Sequence, residues 1–371
     1  MKTRVLKVKA EKDPMSNIER PLPNQIYKNP YLEIENREVG ELDLNSIRIR
    51  MIYVGVCGSD IHVLKKNQQT GYISSSVPLD IPNDGRIIGH EGVGQVIEVG
   101  ENVNHITPGM YVTLESIVVC NHCIACKRGD FNQCKNAKLL GLEIDGIMGE
   151  IVDVNANLAH DITKYIKSED DLISMACIEP AGVAFDACKN AEVQAGDTVV
   201  VFGGGPIGLY SALLSKLVFG AANVHIIEPI EFRRNLLKKS FKYVYDSLLS
   251  FKENIEKIDV IIETSGDLSN ISKVFNLIDA NGRIVLLARS GEALCIDTVD
   301  YMITNNIKII GSRGHLCGAF DKILKIYAFN DIPLKKSVTS VVVGLEKLKK
   351  MLERQNIEQK DCKIVVKILN N

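Results

Sequence analysis

The 371-residue chain has no tryptophan, and its aromatic share is 6%, so a pocket walled by indole rings is excluded. It also lacks a charge bias. Its 44 basic residues face 46 acidic ones, a formal net of -2 at pH 7, and the cations are dispersed without a basic block. Nucleic acid or an anionic membrane surface as a partner therefore has no electrostatic footprint. The first fifteen residues, MKTRVLKVKAEKDPM, contain no apolar core of the kind a secretory signal needs. The longest apolar stretch, residues 199–218, is interrupted by glycines, Pro206 and Lys216, which argues against a membrane span. Internal repeats and low-complexity tracts are absent as well, and a cytoplasmic globular protein is the expectation.

What is present is ordinary in bulk: 46% hydrophobic and 24% charged residues, in a length that exceeds one common core and fits two domains. Ten cysteines are less ordinary. Without an export signal they point to a reducing compartment, where thiols serve as metal ligands rather than disulfide partners.

The stretch on which the chain is organised is Gly55 to His62, GVCGSDIH. Taken alone, Cys57 reads as a small buried hydrophobe, and His90 further on as a satisfied loop histidine. Their company changes the reading. A polar Ser59-Asp60 pair follows Cys57, and His90-Glu91 lies inside a glycine-rich GHEGVG turn, neither of which a core cysteine needs. Glu179-Pro180 adds a second carboxylate ahead of an apolar, helix-like run. Thiolate, imidazole and carboxylates form the donor set of a catalytic zinc site with one position open.

A second cluster has the spacing C-x2-C-x2-C-x7-C, through Cys120, Cys123, Cys126 and Cys134. Four thiolates so close together can enclose one tetrahedral zinc with no open position, a structural site. A small iron-sulfur cluster uses similar spacings. His122 is superfluous once four cysteines are present. A nucleic-acid-reading zinc ribbon is the rival from another functional class, yet only Lys127, Arg128 and Lys135 lie nearby as cations and only Phe131 as a stacking ring.

Ahead of these clusters, Val5 to Val8 and Tyr31 to Ile34 read as two strands joined by a proline-bearing irregular loop. Residues 46–54 alternate at period two and deliver the chain into Cys57 just past a strand end. Residues 65–86, polar and marked by Gly71, Pro78, Pro82 and Gly85, read as a long loop beside the site.

A different pattern begins near residue 187. The apolar run Thr198 to Phe202 suits a strand buried on both faces, and it enters Gly203-Gly204-Gly205-Pro206-Ile207-Gly208. A bare G-x-G-x-x-G is weak evidence. Here it follows a strand, opens a helix over residues 207–219, and precedes a second strand, Val224 to Ile227, that ends at Glu228. Such glycines let the backbone approach a pyrophosphate seated on the helix N-terminus, and an acid at this distance accepts from the adenosine ribose. Glu228 disfavours a 2'-phosphate and so predicts NAD over NADP, although Arg233 and Arg234, expected on the next helix, are of the type that accommodates NADP.

Strands are also expected at residues 259–263, 283–287 and 307–310, separated by helical or turn segments. That alternation predicts an α/β fold with a doubly wound parallel sheet. Helices follow at 320–329 and 345–355, then a closing strand at 363–367 that returns to the first domain. The expected domains are 1–186, completed by 316–371, and 187–315.

In this order and spacing, GVCGSDIH, GHEGVG, the four-cysteine lobe, EPAGVA and GGGPIG resemble the zinc-dependent medium-chain dehydrogenase/reductase family over nearly the whole length. The resemblance implies a GroES-like, mostly β catalytic domain carrying a zinc lobe, beside a Rossmann domain. It implies two zinc ions per chain, a homodimer or homotetramer, and hydride transfer between an alcohol and NAD. Cys57 and His90 would be zinc ligands, with Glu91 and Glu179 ligating or standing next to the ligands, Asp60 orienting His90, and Ser59 and His62 relaying the proton. Gly203, Gly205, Pro206, Ile207, Gly208, Glu228 and Arg233 would line the cofactor. Glu179 stands where the alcohol dehydrogenase branch has a second cysteine, as in the polyol, sugar and cyclitol branch. Three further stretches are similar to that branch: the Gly71-Tyr72 turn, Glu228-Pro229 with Arg233 to Leu236, and Ile309 to His315. L-threonine, sorbitol and butanediol dehydrogenases share the framework.

Residues 65–86 carry Asn67, Gln68, Gln69, Thr70, Ser74, Ser75 and Ser76. Such groups can pair with several substrate hydroxyls, and with the absence of tryptophan they favour a polyhydroxylated secondary alcohol over a simple apolar one.

Overall fold

The computed structural model describes residues 1–291, 293–296, 298–330, 332–354 and 357–369. Two compact units emerge, Met1–Glu179 with Pro333–Ile357 and Lys363–Asn371, and Pro180–Ile332 with Glu358–Cys362. The crossings thus fall after Glu179 and Ile332, where the sequence places them at 187 and 316. His315 and Phe320 rings lie 4.9 Å apart, and a Cβ on Gly182 would touch both side chains. This packing ties the start of the helix at Ala319–Asn330 to the second unit.

In the first unit, strand Lys2–Lys12 pairs antiparallel with Tyr27–Glu38, and residues 13–26 form the irregular connection expected from their prolines. A mixed seven-stranded sheet carries the site. At its centre strand Ser46–Val56 pairs antiparallel with Glu91–Val99 on one side and with Lys363–Lys367 on the other. The register sets Gly55 opposite both Glu91 and Val365, and Val56 opposite Ile364. The residues that follow or open these strands are therefore brought to one end of the three strands. Ile47, Ile49, Met51 and Val54 from the central strand sit in the core with Val8, Val96, Val152 and Val366.

In the second unit, six parallel strands run in the spatial order Tyr243–Tyr245, Asn223–Ile227, Thr198–Phe202, Ile258–Glu263, Ile278–Leu286, Lys308–Gly311. The chain starts at Thr198–Phe202, builds outward to one side and then returns to build to the other. That reversal creates a switch point between Thr198–Phe202 and Ile258–Glu263, where a doubly wound sheet leaves a crevice for a ligand.

Some expected boundaries move. Strand Ile278–Leu286 begins before 283 because Ile278 already pairs with Ile258; the ladder is then irregular through the turn-like Asp-Ala-Asn-Gly stretch, where Asn281 takes a left-handed φ of 62°, and resumes at Arg283. Strand Tyr243–Tyr245 adds an element that the sequence pattern does not announce. The last long helix is described at Leu345–Leu352; the expected end at Gln355 lies outside the described residues. No helix among the described residues is long and apolar enough to cross a membrane.

The strand leading to Glu228 carries a titration with a stability consequence. His225 is buried, stacks on Tyr243 at 4.5 Å and on Tyr245 at 5.8 Å, and its Nδ1 lies 3.0 Å from the Tyr245 hydroxyl. Burial pushes its pKa down to about 4. An unfolded histidine titrates near 6.5, so between those values the unfolded chain binds a proton that the folded chain does not. Stability should be full above about pH 6.5 and fall as the pH drops toward 4. After allowance for solvent screening, about 1–2 kcal/mol should be lost by pH 4.5. His225→Phe should flatten that part of the melting-temperature profile; an unchanged slope would show that other groups govern it.

Candidate active site and nucleotide cradle

Strand Ser46–Val56 ends directly before Cys57, which N-caps the short helix Gly58–His62. Asp60 in that helix is fully buried. Its Oδ2 accepts from the Cys57 N–H at 2.9 Å and its Oδ1 from the Gly89 N–H at 3.1 Å. One carboxylate thus fixes the backbone beside Cys57 and beside His90 together. The orientation expected for His90 is transmitted through Gly89, since His90 Nδ1 is buried without a hydrogen-bond partner.

The Cys57 sulfur, a His90 ring nitrogen and a Glu91 carboxylate oxygen all lie within 4.8 Å of one another. Glu179 is buried at the start of helix Ile178–Asn190 and outside that set; its Oε1 accepts from the Ser116 hydroxyl at 2.8 Å. Its charge still reaches the cluster. Burial works to lower the His90 pKa, but Cys57, then Asp60 and Glu179, outweigh it and the net direction is up. Burial raises Glu91, opposed by Lys363 and reinforced by Glu179. A thiol, an imidazole nitrogen and a carboxylate oxygen brought together in a largely buried, anionic setting fit a bound cation.

Lys363 joins the site only in the folded structure. Its Nζ donates to the Val56 carbonyl at 2.8 Å and to Glu91 Oε2, and both side chains of that ion pair are 1% exposed. A lysine opening the apolar strand Ile364 to Val366 is the only signal the sequence holds for it. Ser59 Oγ is buried without a hydrogen-bond partner among the described residues, while His62 is exposed.

The four cysteines of the lobe also converge, their sulfurs all within 4.8 Å. Cys123 to Cys126 and Cys120 to Cys134 are each 3.6 Å apart, and all four are free thiols. Tetrahedral zinc with Zn–S bonds of 2.3 Å would set sulfurs roughly 3.8 Å apart. The backbone N–H of His122 pulls Cys120 down to about 6, whereas burial and then Cys123 push Cys126 up to about 12. These thiols cannot all ionise together without a cation among them, which matches a tetrahedral metal site.

At the switch point of the parallel sheet, Gly203 takes a φ of 91°, and a Cβ on it would meet Thr264 Oγ1 at 2.9 Å. A Cβ on Gly208 would stand 2.0 Å from the Gly203 carbonyl oxygen, so helix and strand pack at a distance only glycine allows. Gly205 N-caps helix Pro206–Leu217, with Pro206 in the first turn, and a Cβ there would find only Arg233 Nη1, at 3.7 Å. An open backbone at the N-terminus of a 12-residue helix is a cradle for an anion.

Glu228 is buried and braces that loop. Its Oε2 accepts from the Gly204 N–H and its Oε1 from the Ile230 N–H, both at 2.7 Å. A carboxylate offers about four acceptor sites, so ribose hydroxyls can still be received. Arg233 and Arg234 do lie on the next helix, Glu231–Leu237, and Arg233 Nη1 reaches to 3.9 Å from Glu228.

The polar loop after the site is largely occupied with itself. Asn67 Oδ1 accepts from the N–H groups of Gln69 and Thr70, Thr70 Oγ1 from Tyr72 N–H, and Ser75 Oγ from Val77 N–H. Of the polar side chains expected to face substrate, Asn67, Thr70 and Ser75 each already accept from a backbone N–H of the turn. The Gly71-Tyr72 turn is clamped from the N-terminal hairpin: Tyr72 donates to the Asp13 carbonyl at 2.9 Å and lies under Lys28.

Residues 43–164 match the alcohol dehydrogenase GroES-like domain and residues 206–328 the zinc-binding dehydrogenase domain. The chain is 30% identical to an L-threonine 3-dehydrogenase of Pyrococcus furiosus, over 83% of this chain and 87% of the relative. It is 27% identical to a scyllo-inosose 3-dehydrogenase of Thermotoga maritima, over 93% and 92%. An alcohol dehydrogenase from Escherichia coli CFT073, solved with its cofactor NADH, superimposes with a TM-score of 0.81 at 25% identity, over 98% and 99% of the two chains. With its GroES-like and Rossmann parts, two cation-ready clusters and a glycine cradle, the chain belongs to the zinc-binding medium-chain dehydrogenase family and is an oxidoreductase of the alcohol and polyol type.

Proposed function

We propose that the protein oxidises a secondary alcohol on a polyol, cyclitol or sugar to the ketone, with NAD as acceptor. One zinc would be held by Cys57 and His90 with Glu91 and Glu179 as flanking carboxylates, and a second by the four-cysteine lobe. The observation that carries this reading is the convergence of thiol, imidazole and carboxylate within 4.8 Å, at the end of strands whose register fixes them.

When bound, zinc supplies a Lewis acid that eases loss of the alcohol proton, and nicotinamide accepts the hydride. The chain's own residues do the rest. Asp60 holds the backbone at Cys57 and Gly89, so the donors keep their positions through turnover. Ser59 Oγ, buried and without a partner, receives the hydroxyl proton, and exposed His62 passes it to water. In the second unit, the N–H groups opening helix Pro206–Leu217 hold the pyrophosphate, and Glu228 takes the ribose hydroxyls and repels a 2'-phosphate.

The likeness to L-threonine 3-dehydrogenase favours a second reading, oxidation of the L-threonine 3-hydroxyl. Both substrates present a secondary alcohol flanked by a carbon bearing a polar group. Gln68, Gln69, Ser74 and Ser76 are the loop side chains whose polar groups the turn does not use, and they support the polyol.

A panel of inositols, sorbitol, glucose, L-threonine and 2-butanol, each with NAD and with NADP, tests the proposal by absorbance of the reduced cofactor. A polyol or cyclitol should show the highest kcat/KM, and NAD should exceed NADP by about tenfold or more, equal to about 1.4 kcal/mol. L-Threonine in first place would replace the substrate reading, 2-butanol in first place would sink it, and NADP matching NAD would overturn the role of Glu228.

A further inference from the structure

An ammonium group is costly to bury unless it is paired, and Lys363 is buried at the strand ends where the metal donors meet. Its two acceptors adjoin the donors themselves. The Val56 carbonyl precedes Cys57, and Glu91 follows His90. Gly55 shows the same packing from the other side. A Cβ there would stand 2.6 Å from Glu91 Oε2 and 3.0 Å from Lys363 Cε, so this glycine leaves the ion pair room to lie across the strand.

The formal charges make the pairing consequential. Cys57 as thiolate, Glu91, Glu179 and the adjoining buried Asp60 contribute four negative charges and Lys363 one positive, so a divalent cation leaves the set with a single excess negative charge. Without the ammonium, the loaded set would carry a second excess negative charge, and the metal would draw electrons less strongly from an alcohol oxygen. We propose that Lys363 is a positioning residue: it holds the Glu91 carboxylate and offsets its charge, so that the metal at Cys57 and His90 stays electrophilic. This rests on the metal reading above.

The test uses the full-length protein loaded with cobalt(II) in place of zinc, read by its visible absorption, by metal release to a chelator, and by kcat. In Lys363→Met, Glu91 loses its partner and turns toward the metal. The ligand-field bands should shift, the metal should be released no faster than from wild type, and kcat should fall about 10- to 100-fold. The double variant Lys363→Met/Glu91→Gln removes both charges and should restore the wild-type bands. A merely structural lysine would instead give faster metal loss in parallel with lost activity, and that result overturns the proposal. So do unchanged bands in Lys363→Met, or shifted bands that persist in the double variant. Should Lys363→Met fail to fold, Gly55→Ala keeps both charges but drives the Glu91 carboxylate from its place, and its bands must shift for the proposal to stand. Wild-type protein that takes up no cobalt beyond the four-cysteine lobe overturns the metal reading itself, whereas normal loading with unaltered variant bands overturns this inference alone.

Discussion

Replacing Cys57 with serine is expected to lower kcat/KM on the order of a thousandfold, equal to about 4 kcal/mol of transition-state stabilisation, while leaving the fold and melting temperature close to wild type. The reason is local. Cys57 lies just beyond strand Ser46–Val56 and is half-buried, and the backbone bond that seats it, from its N–H to Asp60, does not involve the sulfur. Serine keeps that bond and removes the soft donor that selects zinc. Metal analysis should show one ion fewer per chain, with an unchanged circular dichroism spectrum. Activity retained within a fewfold would separate Cys57 from the chemistry.

Cys123→Ser should behave in the opposite way. The lobe has little core of its own: its short helix Ile124–Arg128 buries only Ala125 and Cys126, and Ile124 is 73% exposed. A segment so poor in buried apolar area is held by its ligands, and metal binding there is folding free energy. Loss of one thiolate should release the lobe metal and lower the melting temperature on the order of 10 °C, since each kcal/mol shifts a domain of this size by about 2–4 °C. Activity at low temperature should fall far less than in Cys57→Ser. A variant that melts with wild type would mean that the lobe holds itself together without metal.

How much of this was legible in the sequence depends on distance along the chain. Cys57, His90 and the four lobe cysteines announce themselves because few residue types bind metal and their neighbours are polar where a core would be apolar. The glycine loop was legible because each glycine answers a local demand, a left-handed φ at Gly203 and a Cβ clash at Gly208. The Lys363–Glu91 pair was not legible. It exists only through an antiparallel register that joins positions 272 residues apart, and nothing near either residue points to the other. The same holds for Ser116 and Glu179.

Local rules also misled. Tyr243–Tyr245 is too short and too flanked by lysine and aspartate to show a strand period, yet His225 stacking on both tyrosines holds it at the sheet edge. The polar composition of residues 67–76 points to substrate contacts, and the turn's own N–H groups compete for short side chains such as Asn67 and Thr70. Composition records which groups are available, and backbone geometry decides which are already used.

The central claim is that an alcohol is oxidised at a metal held by Cys57 and His90, apart from the metal of the lobe. Zinc content and dehydrogenase activity measured together during timed chelation test it most directly. Freshly purified protein should contain two zinc ions per chain. One should leave early, taking all activity with it while the circular dichroism spectrum holds, and added zinc should restore the activity. A single zinc or none in active protein, or full activity after the first ion has gone, would contradict the account.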